Sequence, residues 1–325
     1  MSTKIINWGI IGAGKIASKF AKDLNVVPNS KLYGIASRSI EKASAFALEH
    51  NAHEAYGNYI NLVLDKNIDA IYIATPHSFH KAHSILCLKH NKPVLCEKPF
   101  AMNLSEVEEM IQLAKQNKIL LMEALWTNFL PHFKYVQQLI ENKHFGNVKT
   151  LEADFGFHPK YDENSRVFDK SVGGGSLLDI GIYPIFSALA TLGFPKNIEA
   201  EAEFFPIGAD SKCNISFEYP NAKAYLKSTF LEETKTEAIW RCEHGIIIIN
   251  GMFHQPSTVM LIDANGKTET KDFNYKTIGY SYEIEHFNQL IRDKKSESDI
   301  MTFEFSKQLI SLLDAVRDKI GLEYF

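Results

Sequence analysis

The 325-residue chain is poor in the residues that mark special classes, with four cysteines, eleven prolines and three tryptophans. Cys87, Cys96, Cys213 and Cys242 lie far apart and form no Cys-x-x-Cys or metal-ligand spacing. That excludes a disulfide-stapled scaffold and a zinc ribbon, and it fits free thiols in a reducing compartment. No stretch approaches 18 consecutive apolar residues, so no membrane span is expected. Met1-Ser2-Thr3-Lys4 runs into an apolar segment without a separate signal-type apolar core, so a cytoplasmic location is expected. There is no cationic excess: 35 Lys and Arg stand against 39 Asp and Glu, a net charge of -4, which argues against nucleic acid or an acidic membrane as partner. No G-x-S-x-G, H-E-x-x-H or P-loop lysine motif occurs. His77, His80 and His83 are close in sequence but lack a Cys or carboxylate at ligand spacing, so no metal is expected.

What is present is material for a large core. Hydrophobic residues make up 45% of the chain, including 22 Phe and 13 Tyr, and a chain of this length buries about 75% of its extended surface on folding. Apolar runs alternate with helical patterns over the first part: strands at Ile5–Ile11, Lys31–Ala36, Ile68–Ala74, Pro93–Cys96 and Ile119–Met122, and helices at Lys15–Leu24, Ser39–His50, Phe79–His90 and from Leu104 or Ser105 to Asn117. Such alternation predicts parallel pairing with right-handed crossovers, an N-terminal doubly wound Rossmann domain over 1–125. After Trp126 the rhythm changes. A helix at Pro131–Asn142, a strand at Val148–Phe157 and a helical segment at Ser176–Leu192 precede six strand-like runs between Ile198 and Ile262, and helices return at Tyr282–Ile291 and Phe303–Ile320. This predicts a C-terminal α+β domain over 126–325 with a large, mostly antiparallel open sheet, close packing of the domains around a cleft, and a last helix able to pack back on the first domain.

Gly12-Ala13-Gly14-Lys15-Ile16-Ala17 follows the first strand and opens a helix, matching G-x-G-x-x-G/A. The glycines permit a tight turn and close approach of a pyrophosphate, and the helix start offers free N–H groups and a positive dipole end. Gly12, Ala13, Gly14, Lys15 and Ile16 are therefore expected to hold a dinucleotide. Ser37-Arg38 ends the second strand, where an NAD enzyme has an acid for the ribose 2′-OH, and no acid occurs before Glu41. A guanidinium pairs with a 2′-phosphate that a carboxylate would repel, so NADP is expected, with NAD weaker.

Three further segments occur in order: Ala74-Thr75-Pro76-His77-Ser78-Phe79-His80, Cys96-Glu97-Lys98-Pro99-Phe100, and Gly173-Gly174-Gly175-Ser176-Leu177-Leu178-Asp179-Ile180-Gly181-Ile182-Tyr183-Pro184. With the glycine turn, they make the whole chain resemble the Gfo/Idh/MocA oxidoreductase family. Glu123-Ala124-Leu125-Trp126-Thr127 and the Asp179…Tyr183 pair resemble its dimeric dihydrodiol dehydrogenase and NADP-dependent D-xylose 1-dehydrogenase branch, which commonly has Arg where Asn128 stands. The resemblance implies that Thr75, Pro76, Glu97 and Lys98 join the cofactor site. His80 is read either with Pro76 in the nicotinamide pocket or as a capping or core residue.

Taking a hydride from an alcohol carbon requires removal of the hydroxyl proton as well, so a positioned acid/base is needed. Asp179 and Tyr183 are four apart and would share a helical face, and a lysine ammonium beside a phenol favours the phenolate. Lys98, Tyr183 and Asp179 are the catalytic candidates. Trp126 and Phe157 could wall a ring, with core packing as the alternative, while Asp179 and Arg166 could hold hydroxyls. The expected function is an NADP-dependent oxidoreductase acting on a CH–OH group of a neutral sugar or cyclic diol. The alternatives are an NADP-sensing regulatory protein of the same fold and a ketose or anhydro-sugar reductase. Gly245-Ile246-Ile247-Ile248-Ile249-Asn250 is apolar at consecutive positions, so its strand needs cover on both faces, and a homodimer through the C-terminal sheet is expected.

Overall fold

The computed structural model describes residues 4–162 and 165–324, so Met1 to Thr3 of the expected start lie outside the described residues. The chain forms two compact units, Met1–Trp126 with Lys276–Lys307, and Thr127–Tyr275 with Gln308–Phe325.

In the first unit, β1 (Ile6–Ile11), α1 (Lys15–Leu24), β2 (Ser30–Ala36), α2 (Ile40–His50), β3 (Glu54–Tyr56), α3 (Tyr59–Leu64), β4 (Ala70–Ile73), α4 (His80–Lys89), β5 (Val94–Glu97), α5 (Leu104–Asn117) and β6 (Leu121–Ala124) follow one another. The six strands are parallel in the order β3-β2-β1-β4-β5-β6. β1 and β4 are adjacent in this sheet, and β2 flanks β1 on its other side, so the strand order reverses at β1; ligands bind at the carboxyl ends of such a switch point. Local chemistry accounts for the helix ends. Ser39 Oγ accepts from Lys42 N–H at the start of α2, and Asn103 Oδ1 accepts from Glu106 N–H at the start of α5. The α1 helix buries Ala17, Phe20, Ala21 and Leu24, one apolar stripe. Residues 51–67 show no periodic pattern in the sequence. A three-residue strand and a six-residue helix capped by Asn58 occupy part of that stretch, both too short to show a period.

The second unit contains α6 (Pro131–Glu141), β7 (Val148–Gly156), α7 (Ile182–Leu192), β8 (Asn197–Phe204), β9 (Asp210–Glu218), β10 (Lys223–Thr229), β11 (Ala238–Cys242), β12 (Gly245–Ile249), β13 (Val259–Asp263) and β14 (Thr268–Lys271). Their order is β14-β13-β12-β11-β7-β10-β9-β8. Every pairing is antiparallel except β7 with β10, which is parallel. The exception follows from the long excursion through α7, β8 and β9, which brings the chain back beside β7 in the same direction. One sheet face is core, with Leu151, Leu226, Trp240, Ile247 and Ile249 buried, and α7 packs on this unit with Ile182 to Leu189 buried.

The stretch Lys170–Leu192 is long and apolar enough in composition to cross a membrane, but 78% of its apolar window is buried inside the protein, as befits a core helix. The domain limits differ from those expected, because the first unit takes in 276–307. There α8 (Tyr280–Arg292) is bound to the first unit by buried polar contacts. Asp23 of α1 accepts the N–H groups of Ile278, Gly279 and Ser281 at 3.2, 2.9 and 3.1 Å, and Trp8 Nε1 donates to Asn288 Oδ1 at 3.1 Å. A carboxylate on the N–H groups that open a helix is favoured by charge and hydrogen bonding together. The final helix, α9 (Phe303–Ile320), contributes residues to both units.

Candidate active site

In the first unit the expected cofactor residues gather at the carboxyl ends of the parallel strands. Gly12 has φ +103°, and a Cβ there would lie 2.6 Å from the Ala74 carbonyl oxygen, so the ends of β1 and β4 can approach only with glycine. A Cβ at Gly14, in contrast, would meet nothing within 4 Å. Gly14 is also the N-cap of α1 and makes no side-chain cap. Open space against uncapped N–H groups at a helix start fits a pyrophosphate. Ala13, Lys15 and Ile16 complete this turn. Arg38 is exposed at the end of β2, next to Ser37, whose N–H is held by the Tyr56 carbonyl at 3.1 Å. Burial, with a smaller contribution from the Arg38 charge, lowers the pKa of His83 to about 4; burial raises that of Tyr59 while Arg38 opposes the rise. Arg38, Tyr59 and His83 thus form one electrostatic neighbourhood, with Thr75 Oγ1 3.0 Å from His83 Nδ1 and the Tyr59 ring edge-on to His83 at 4.7 Å.

The turn that carries Lys98 is held on several sides. Glu97, the last residue of β5, is buried and accepts from the Tyr72 hydroxyl. His80 is fully buried, with Nδ1 2.8 Å from the Pro99 carbonyl and Nε2 2.8 Å from the Thr75 carbonyl. Burial lowers its pKa to about 4 against the pull of those carbonyls. His80 therefore ties the Thr75-Pro76 turn to the Lys98-Pro99 turn, and its part in the site runs through those backbones. Phe100 N–H donates to Glu123 Oε1 at 3.0 Å. Burial raises the Glu123 carboxyl to about 7, against hydrogen bonds from Ser306 and Phe100. Trp126 is 6% exposed and stacks on Tyr280 with centroids 4.4 Å apart.

In the second unit Tyr183 is buried against Phe155 and His254, with ring centroids 5.8 and 5.0 Å away. Phe155 itself stacks on His254 at 4.2 Å, and Phe157 packs edge-on to Phe230 at 5.0 Å. Arg166 is half-exposed and reaches to 3.6 Å from Asp179 Oδ1. The expectation that Asp179 and Tyr183 occupy one regular helix is corrected. Leu177–Gly181 forms a π-turn, and α7 begins only at Ile182. Pro184, in the first turn of α7, has no N–H for the Ile180 carbonyl, so one bond of a regular ladder is missing where the π-turn meets α7. Such turns recur at functional sites.

Tyr59, His83 and His254 were not singled out as site residues from the sequence. For His83 the spacing from His80 is the signal that the sequence carries. Nothing in sequence points to His254, whose place beside Tyr183 is a product of the fold. Among the described residues no group of three or more His, Cys, Asp or Glu side chains is arranged to hold a metal ion.

A six-stranded parallel sheet with an open glycine turn at its switch point, followed by a unit built on a broad open sheet, defines a dinucleotide-dependent oxidoreductase. Residues 6–125 match the model of the oxidoreductase family with the NAD-binding Rossmann fold, and residues 133–248 match the GFO/IDH/MocA C-terminal domain. The chain belongs to the Gfo/Idh/MocA oxidoreductase family. It is 34% identical to a trans-1,2-dihydrobenzene-1,2-diol dehydrogenase of Xenopus tropicalis, covering 100% of both chains. It is 32% identical to a scyllo-inositol 2-dehydrogenase (NADP(+)) of Bacillus subtilis, over 98% of each. Among solved structures, a 3-ketoreductase from Actinomadura kijaniata in complex with NADP and TDP-benzene superposes with a TM-score of 0.87 at 25% identity, covering 97% of this chain and 98% of that one. An aldose-aldose oxidoreductase from Caulobacter crescentus shares the fold with a TM-score of 0.89 at 20% identity, covering 98% of each chain.

Proposed function

We propose that the protein is an NADP-dependent dehydrogenase of a neutral, hydroxylated six-membered ring, and that it oxidises a free aldopyranose at its anomeric carbon to the lactone. The observation that carries this reading is the Lys98 turn, clamped by His80 and Glu123 at the carboxyl end of β5 in the same sheet as the open Gly12-Ala13-Gly14 turn. The names of two relatives support the substrate class, since trans-1,2-dihydrobenzene-1,2-diol and scyllo-inositol are both uncharged rings with neighbouring hydroxyls.

Bound NADP supplies a hydride acceptor. Gly12 to Ile16 would receive its pyrophosphate, Ser37 and Arg38 its 2′-phosphate, and Thr75, Pro76 and Glu97 would border its nicotinamide half. Tyr183 takes the hydroxyl proton as the carbon–hydrogen bond breaks and the carbonyl forms, and Lys98 stabilises the phenolate that accepts it. Asp179 and Arg166 hold ring hydroxyls, and Trp126 and Phe157 offer aromatic faces. A panel of free aldoses, cyclic diols, inositols, sugar phosphates and uronic acids, followed by NADPH absorbance at 340 nm, tests the assignment. Turnover of free aldoses or cyclic diols is the expected result. Turnover confined to sugar phosphates or acidic sugars overturns the substrate class, and a protein that binds NADP yet turns over nothing is a sensor.

Cofactor choice rests on Arg38 and on the missing acid at the end of β2. NADP is expected to bind at least about tenfold tighter than NAD, a difference of about 1.4 kcal/mol. Arg38→Ala removes most of that difference and leaves NAD affinity nearly unchanged. Equal dissociation constants for the two cofactors in the unmodified protein would exclude this role for Arg38.

The protein is further expected to be a cytoplasmic homodimer. The face of the second sheet opposite its core carries half-exposed Ile239, Ile246, Ile248, Met260 and Ile262 on three neighbouring strands. Beside them lies an open groove of about 550 Å³ bordered by Glu152, Asp154, Glu199, Glu201, Tyr225 and Lys227. A second copy covers such a stripe with two-fold symmetry. Ile248→Asp is expected to convert the dimer to monomer in light scattering, and an unmodified protein already monomeric at micromolar concentration contradicts the proposal.

A further inference from the structure

Asp210, the first residue of β9, is fully buried, yet no part of the cofactor or substrate chemistry uses it. Its Oδ2 accepts from Ser176 Oγ at 2.7 Å and from Leu177 N–H at 2.7 Å, the residues that open the π-turn. Ser176 Oγ also lies 3.0 Å from Ser228 Oγ of β10. The other oxygen faces Gly175, where a Cβ would stand 2.1 Å from Oδ1 and where φ is +121°, so only glycine fits. The neighbouring Gly174 carbonyl accepts from the Tyr324 hydroxyl at 3.2 Å. Around Asp210 stand Cys213 on its own strand and Tyr324, which in turn feels Asp179 and Arg317. Burial pushes the Asp210 carboxyl up to about 6, against the hydrogen bonds from Ser176 and Leu177.

We infer that Asp210 is a positioning residue for the reaction, which through Ser176 and the Leu177 N–H anchors the π-turn that carries Asp179 and leads into Tyr183. The inference rests on the roles proposed above for Asp179 and Tyr183. A helix start is usually capped by a residue within one turn, and here the acceptor comes from 33 residues downstream. The consequence is that the turn is tied to the sheet and not to its own loop. Its first N–H, the Ser176 hydroxyl and two strands share one network, so the Asp179 and Tyr183 side chains inherit the position of β9 and β10. A misplacement of about 1 Å in such a group costs up to about a hundredfold in rate.

The test compares Asp210→Ala, Asp210→Asn and Ser176→Ala in the full-length protein. Three quantities are followed: kcat and KM on the best substrate of the panel, the NADP dissociation constant, and amide exchange over residues 177–183. With Asp210→Ala, kcat falls at least about tenfold while KM and NADP affinity stay within about twofold, the pattern of lost transition-state positioning. Amide exchange over 177–183 accelerates while that of the β9 and β10 strands does not. The amide oxygen of Asp210→Asn still accepts from Leu177 and Ser176, so this variant regains most of the rate, and Ser176→Ala falls between the two. Unchanged kcat and unchanged exchange in Asp210→Ala overturn the inference, as does a lowered melting temperature with normal kcat per folded molecule. If Asp210→Ala does not fold, Ser176→Ala and Asp210→Asn carry the comparison. If the unmodified protein turns over no substrate, the proposed function has failed, and exchange at 177–183 still decides whether Asp210 anchors the turn.

Discussion

Tyr183→Phe is expected to lower kcat by roughly 10²–10⁴, the range for loss of a general acid/base, while the dissociation constant of NADP stays the same. The substitution removes one hydroxyl and keeps the ring that packs on Phe155 and His254, so the melting temperature should move little and the loss can be assigned to chemistry. Lys98→Met should reduce kcat comparably and move the alkaline pKa of the rate profile upward, because the phenolate loses a cationic partner. The double variant should be no worse than about tenfold below the weaker single variant, since groups that act as a unit are not additive. Near-normal kcat in Tyr183→Phe would transfer the acid/base role to another group.

Two glycines of the same turn should separate fold from ligand. At Gly12 an alanine Cβ would press on the Ala74 carbonyl from a positive φ. The backbone term is about 1–2 kcal/mol and the overpacking term about 1–3 kcal/mol, so Gly12→Ala should destabilise the protein by about 2–5 kcal/mol and remove NADP binding with it. Gly14 has φ -100° and open space where its Cβ would go. Gly14→Ala should therefore leave stability within about 0.5 kcal/mol, and weaken NADP because the methyl group enters the volume assigned to the pyrophosphate. Denaturant titration and NADP titration of both variants check this. Loss of stability in Gly14→Ala, or full stability in Gly12→Ala, contradicts the assignment of the two positions.

The doubly wound unit was legible because its signals are local. Ile6–Ile11, the glycine turn and Lys15–Leu24 follow within 19 residues of one another, and Ser39 caps α2 with its own hydroxyl. The strands of the second sheet were legible from β-branched and aromatic runs, and the two-faced apolar pattern of Ile246 to Ile249 divides between the core, where Ile247 and Ile249 lie, and the opposite face. Less legible were β3 and α3, which are shorter than any period they could display, and the π-turn, which depends on an acceptor in β9.

The sequence by itself determined the parallel unit, the glycine turn and the class of sheet that follows, because each rests on backbone preference or on side-chain type within a few residues, while Lys98 and Tyr183 are candidates through the family resemblance. Only the tertiary structure decided the rest. It placed α8 in the first unit through Asp23 and Trp8, set β7 parallel to β10, turned His80 inward to join two turns, and brought His254 to Tyr183 and Asp210 to Ser176. These contacts join residues 5 to 280 positions apart, from a contact across one turn to a bond between the ends of a unit. The longer ones leave no period or spacing in the chain, since the polar group and its buried partner are matched only once burial has removed water as the competing partner.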